Sequence, residues 1–401
     1  MVLAGLAAAC ALGEAGLRIA GFAHASLYVH DSRRGWALRP GVASWASTEA
    51  GRTFVRTSSA GLRDRDHALD KAAATVRIAV LGDSFAEALQ VRAEQTFWSV
   101  LERQLARCPA YAGRAVEVIN FGVGGYGTAQ ELLTLRDTVW PYSPDLVLLA
   151  FYTENDVLNN ARAANPTRAD EAPYFVYQGS RLVLEEPLRD ASLVKRAYRR
   201  ALDGTADLAA RSRVVQLVHA ATRGRTQGAE REAQRRRLES LGVSNPDGVP
   251  YLAATHPALV EAWRVTEGLL AAFRDETRAR GAPLWIVTLS NSPQVFPDPS
   301  VRRAFMRQIG VDDLLYPDRR IREFAMRERI PVVTLAIPLA EYADRHMAFL
   351  HGFPASTPGV GHWNETGHRV AGEIIAAELC AAGSPPAGAD PAGGATTSPR
   401  R

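Results

Sequence analysis

The chain has 401 residues, enough for one large domain or one domain with an insertion, and 47% of them are hydrophobic, enough to fill a core. The formal charge of +4 comes almost wholly from arginine, since Lys71 and Lys195 are the only lysines. With so many alanines, this reads as compositional bias rather than a nucleic-acid surface. No zinc-type cysteine or histidine spacing and no phosphate-loop signature is present.

Residues 1–25 open with an apolar run, Met1 to Glu14. That run is shorter than the ~20 residues a bilayer span needs and lacks the basic flank of a signal peptide. Two readings stand: the tail of a longer membrane anchor, or a short helix docked on the domain. The first is favoured, because residues 26–75 read as the stem of an exported protein. Residues 76–381 read as the principal domain. Its five apolar strand candidates are Val76–Leu81, Val116–Phe121, Leu146–Phe151, Leu284–Leu289 and Pro331–Leu335. Helical patterns follow near Glu94–Arg107, Thr128–Val139, Pro257–Arg280, Asp318–Arg329 and Thr366–Ala381. Continuous apolar strands alternating with helices predict a parallel sheet covered on both faces, with ligands at the strands' carboxyl ends.

The stretch from about 161 to 254 breaks this alternation and reads as a mainly helical insertion, a lid or a substrate-selecting wall. It opens with a hairpin candidate at Tyr174-Phe175-Val176-Tyr177 and later carries Arg235-Arg236-Arg237, which reads as a solvated helix face. Residues 382–401 are small and polar from Gly383 onward and cannot offset their ordering entropy, so a disordered tail is expected.

Four short segments fall at the strand ends. Gly82-Asp83-Ser84 follows the first strand, where a sharp turn into a helix suits a nucleophile. Asn120-Phe121-Gly122-Val123-Gly124-Gly125-Tyr126-Gly127 follows the second, and its glycines let backbone amides approach a ligand. Thr153-Glu154-Asn155-Asp156 follows the third, where Asn155 can aim its amide at an oxyanion. Gly361-His362-Trp363-Asn364 precedes the last helix, where His362 can serve as general base, whereas His368 reads as a packing histidine. Seen alone, each of the first three segments also reads as a turn or a cap.

Together they resemble the SGNH (GDSL-type) hydrolase superfamily, over about residues 76–160 and 282–381. The resemblance implies a three-layer α/β/α fold around a five-stranded parallel sheet, flavodoxin-like in order. It matches Ser84 to the nucleophile, Gly125 (Gly124 less well) and Asn155 to the oxyanion hole with the Ser84 amide, and His362 to the base. It implies ester hydrolysis through an acyl-serine intermediate, of carboxylesterase or carbohydrate O-acetylesterase type, with no metal or organic cofactor needed. The alternatives are an O-acyltransferase acting on a polysaccharide and a non-catalytic binding module on the same fold. The expected partner is a small-molecule or carbohydrate ester, with membrane association through the N-terminus. The sequence does not specify an oligomeric state.

Two positions depart from the family pattern. Thr153 replaces a glycine. Gly359 stands three residues before His362, where the family places the aspartate of the triad. A Ser84–His362 dyad or an acid from elsewhere is therefore expected, and Glu365 is the nearest candidate in sequence. In the family's topology the helices ending at Cys108 and Cys380 share a sheet face, so their far ends can meet in a disulfide; two independent cysteines is the other reading. A disulfide would accord with the expected location, exported or membrane-anchored in the periplasm, rather than the cytoplasmic alternative.

Overall fold

A computed structural model describes residues 2–23, 25–164, 172–186, 192–194, 197, 201, 204, 211–222, 232, 235–240, 242, 246–354 and 356–385. The chain begins with helix α1 (Val2–Ile19) and two antiparallel hairpins, β1–β2 (Tyr28–Asp31, Gly35–Leu38) and β3–β4 (Ala43–Thr48, Gly51–Arg56). Then come β5 (Thr75–Gly82), α2 (Ser84–Glu87), α3 (Phe97–Leu105), β6 (Ala115–Asn120), α4 (Thr128–Thr134), β7 (Leu146–Tyr152) and α5 (Asn155–Asn159). A third hairpin, β8–β9 (Tyr174–Gln178, Arg181–Glu185), and helix α6 (Arg213–Thr222) lie in the expected insertion. The second half holds α7 (Pro257–Ala279), β10 (Leu284–Leu289), α8 (Pro299–Ile309), α9 (Tyr316–Glu328), β11 (Val332–Thr334), α10 (Ala336–His346) and α11 (Glu365–Ala382).

The expected five strands form one parallel sheet in the order β11-β10-β7-β5-β6, so the chain order reverses between β5 and β7. Alternate residues face opposite layers, as a pleated strand requires. Ala79, Leu81, Ile119, Val147, Leu149 and Ile286 pack under α4, α7 and α9. Ile78, Val80, Val118, Leu148, Ala150 and Val287 pack under α3, α10 and α11. The fold is therefore a three-layer α/β/α sandwich. The carboxyl ends of β5 and β7, beside the reversal, form the crevice that such sheets use for ligands.

Residues 26–75 are ordered, and the first two hairpins have a small core of their own. Leu27, Leu38, Ala46 and Val55 pack with Val123 and Tyr126, so the extension is seated on the loop after β6. Helix α1 packs against α6, where Glu14 accepts hydrogen bonds from the N–H groups of Arg213 and Val214 and from the Ser212 hydroxyl. No helix of the described residues is long and apolar enough to cross a membrane. Arg235 and Arg236 form exposed pairs with Glu239 and Glu232 one turn away, a solvated face. Most of the expected tail lies outside the described residues.

Cys108 and Cys380 are joined in a disulfide, with Cα atoms 6.0 Å apart. The long contact of α3 with α11 brings these helix ends together at the edge of the sheet opposite the crevice. Cys10 is free and exposed.

Candidate active site

Strand β5 ends at Gly82, and Asp83 caps the short helix α2 by accepting the Phe85 N–H at 2.9 Å. Ser84 is therefore the first residue of α2, at the rim of the crevice. The other oxygen of the Asp83 carboxylate accepts Asn155 Nδ2–H at 3.0 Å. An amide nitrogen carries two hydrogens. Anchoring one to Asp83 orients the side chain and leaves the second for a ligand. Burial pushes the Asp83 carboxyl up, against the opposing hydrogen bonds from Phe85 and Asn155. Below lie the carboxyls of Glu131 and Asp156, both fully buried and raised well above the ordinary range by burial and by mutual repulsion with each other and with Asp83.

His362 is half-buried and faces Ser84, with Nε2 2.8 Å from the Ser84 Oγ. Its loop is held by a backbone ladder. Gly352 N–H donates to His362 O at 2.9 Å, Asn364 N–H to Leu350 O at 3.0 Å, and Gly359 N–H to His351 O at 2.8 Å. His351 adds its Nδ1–H to the Gly361 carbonyl at 2.6 Å. Burial lowers His351 to about 4, so the ring is neutral at ordinary pH. Phe85 packs beneath the His362 ring, with centroids 5.0 Å apart.

The far ring nitrogen, Nδ1, lies 2.5 Å from Glu49 Oε1. The same oxygen accepts the His362 backbone N–H at 3.1 Å, so one carboxylate oxygen grips both the ring and the main chain of the histidine. Burial would raise the Glu49 carboxyl, but the hydrogen bond and charge of His362 outweigh it and hold it at about 2. Glu49 sits in the two-residue turn of β3–β4, whose strands pair from Ala43–Arg56 to Thr48–Gly51. Ala50 beside it packs against Ala88, Val91 and Phe353, which wedges the tip beside the crevice.

Glu365, the nearest acid in sequence, is exposed at the start of α11 and forms no hydrogen bond or ion pair with His362 among the described residues. The structure also gives a reason why position 359 carries no acid. Gly359 has φ +81°, and a Cβ there would lie 2.5 Å from the Phe296 ring and 3.1 Å from Phe349. An aspartate is excluded by both backbone and space. Gly361, at φ +97°, leaves just the room Glu49 needs, since a Cβ there would lie 3.1 Å from Glu49 Oε1.

Gly125 lies in the loop after β6 at φ +77°, and the Val123 N–H ties that loop to Gly82 O at 3.1 Å. Glu87, beneath Gly124, accepts the Tyr28 hydroxyl at 2.8 Å on each oxygen, and burial raises its carboxyl to about 7. His368 is buried away from Ser84 and accepts the Phe97 N–H at 3.3 Å; burial lowers it to about 3. Thr153, where the family pattern has glycine, is buried and its hydroxyl accepts Asn291 Nδ2–H at 3.1 Å. Glu49 is the residue that sequence reasoning missed. Its hairpin carries an alternating pattern at Ser44–Ala46 and a glycine after the turn, but its partner lies 313 residues away. Among the described residues no cluster of metal ligands is present.

No family model matches the chain, and no curated protein does. Solved structures similar to it include a G-D-S-L-family protein from Desulfitobacterium hafniense DCB-2, at 10% identity over 76% of this chain and 100% of that one, with a TM-score of 0.34. An acetyl xylan esterase is similar at 13% identity over 76% of this chain and 100% of that one, with a TM-score of 0.37. A catalytic mutant of an acetylxylan esterase from Geobacillus stearothermophilus is similar at 13% identity over 77% and 96%, with a TM-score of 0.37.

Proposed function

We propose that this protein is a serine hydrolase of ester bonds that works through an acyl-serine intermediate. The supporting observation is the continuous chain Ser84 Oγ, His362 Nε2, His362 Nδ1, Glu49 Oε1, with links of 2.8 Å and 2.5 Å. His362 Nε2 takes the Ser84 proton as Oγ attacks the ester carbonyl, and Glu49 fixes the tautomer and steadies the imidazolium. The oxyanion is held by the N–H groups of Ser84 and Gly125 and by Asn155 Nδ2–H. The tetrahedral intermediate collapses, His362 protonates the departing alkoxide, and a water repeats the cycle to release the acid and restore Ser84. These steps use side chains and backbone amides of this chain alone.

The substrate we propose is a small-molecule or carbohydrate ester. Transfer of the acyl group to a sugar hydroxyl would use the same intermediate, with the alcohol replacing water. A non-catalytic binding module would need no carboxylate behind His362, and Glu49 supplies one at Nδ1. Replacing Ser84 by Ala should abolish p-nitrophenyl acetate hydrolysis and fluorophosphonate labelling; retained hydrolysis would overturn the assignment. We further propose an oxidising compartment, supported by the Cys108–Cys380 pairing, with membrane association through α1. Free thiols at both cysteines in protein taken from its native cells under alkylation would refute the compartment. Recovery of the native protein in the soluble fraction alone would refute the membrane contact.

A further inference from the structure

The peptide joining Gly124 to Gly125 is bracketed by the β1–β2 hairpin. Trp36 Nε1–H donates to the Gly124 carbonyl at 2.9 Å. The Tyr126 hydroxyl donates back to the Trp36 carbonyl at 2.5 Å, and the two rings meet edge to face at 5.6 Å. Gln130 Nε2–H adds a bond to the Arg34 carbonyl at 2.7 Å, so loop and hairpin are tied on both sides of Gly125.

The geometry of one peptide gives these contacts a consequence. The Gly124 carbonyl and the Gly125 N–H belong to the same planar trans unit and point in opposite directions. A carbonyl fixed toward the hairpin turns that N–H away from the hairpin. The Gly125 N–H forms no hydrogen bond among the described residues, so it remains available as a donor. A Gly-Gly peptide has no Cβ on either side and little preference of its own between the two orientations of this plane. An outside contact has to choose, and Trp36 is the side chain that holds the carbonyl.

We propose that Trp36 is a positioning residue for the oxyanion hole, its indole N–H holding the Gly124 carbonyl so that the Gly125 N–H is presented to the oxyanion formed at Ser84. The N-terminal extension thereby completes the site twice: β3–β4 brings the carboxylate to His362, and β1–β2 sets the plane of the oxyanion peptide. This inference rests on the acyl-serine reading.

The test is Trp36→Phe in the full chain, which keeps an aromatic ring at the position facing Tyr126 and removes the N–H together with the smaller ring of the indole. The kcat for p-nitrophenyl acetate should fall about three- to tenfold, the worth of one neutral hydrogen bond, with KM unchanged. The inhibition constant of phenylboronic acid, whose tetrahedral adduct carries the oxyanion, should rise by the same factor. Unchanged kcat, or a fall in activity without weaker boronate binding, overturns the proposal. If Trp36→Phe does not fold, Tyr126→Phe removes the reciprocal bond, and the same three readings apply. Loss of hydrolysis in Ser84→Ala with full activity in Trp36→Phe removes the clamp alone. Hydrolysis that survives Ser84→Ala removes the acyl-serine reading and the clamp with it.

Discussion

Replacing Glu49 by Gln keeps the shape of the side chain and removes its charge. The carboxyl is held at about 2, against an ordinary value of 4.5, although burial alone would raise it. That gap corresponds to about 3 kcal/mol in favour of the charged carboxylate beside His362. At 25% side-chain exposure Glu49 is screened only in part, so most of this energy acts on the ring. In the proposed mechanism the carboxylate steadies the imidazolium that forms as Ser84 attacks. Its loss should lower kcat by about 10² with KM unchanged. If the new amide turns its N–H toward Nδ1, the histidine is held in the wrong tautomer, and the loss approaches the roughly 10⁴ known for the amide at the corresponding position of a serine protease. The assay is steady-state p-nitrophenyl acetate hydrolysis, with a thermal melt to confirm folding. Formate added to Glu49→Ala should restore part of the activity, which a merely structural role for Glu49 would not allow. A folded Glu49→Gln enzyme with kcat within about threefold of the parent would refute the reasoning.

Gly361→Ala tests the same contact from the other side. Its Cβ would crowd Glu49 Oε1 at a backbone angle unsuited to alanine, so stability should drop by about 1–3 kcal/mol and kcat should fall with it; urea unfolding and steady-state kinetics together check this. Glu87 should show in the pH dependence of stability. Its folded value, raised to about 7 from 4.5, means the native state binds the extra proton, so its contribution is full below about 4.5 and is lost as pH rises toward 7. His351 and His368, lowered to about 4 and 3, act in the opposite sense, losing their contribution as pH falls below 6.5. The difference between Glu87→Gln and the parent isolates Glu87. The variant should gain about 3 kcal/mol relative to the parent between pH 4.5 and 7.5, less the change in its bonds to Tyr28. A flat difference in denaturant midpoints across that range would contradict it.

The sheet was legible because its five strands are continuous apolar runs, and a strand buried on both faces has few other ways to be written. Helices α8 and α10 went unread, although Asp298-Pro299 and Gly310 are an ordinary start and stop. Helix α8 is mostly exposed and rich in arginine, and its narrow apolar face, Phe305, Met306 and Ile309, packs on Tyr251 and Leu314 rather than on the sheet.

The sequence by itself placed Ser84, Asn155, His362 and the glycine loop, the residues of the proposed site, because each stands at the end of a strand or the start of a helix, where local turn chemistry is readable. It also placed two cysteines at helix ends that the sheet topology brings together. Only the tertiary structure paired Glu49 with His362 and set the Gly124–Gly125 peptide. Both depend on how the N-terminal hairpins dock on the sandwich, through Leu27, Leu38, Ala46 and Val55 against Val123 and Tyr126. Docking is a property of surfaces formed after folding, and no local pattern around Glu49 or Trp36 names the partner that each of them meets.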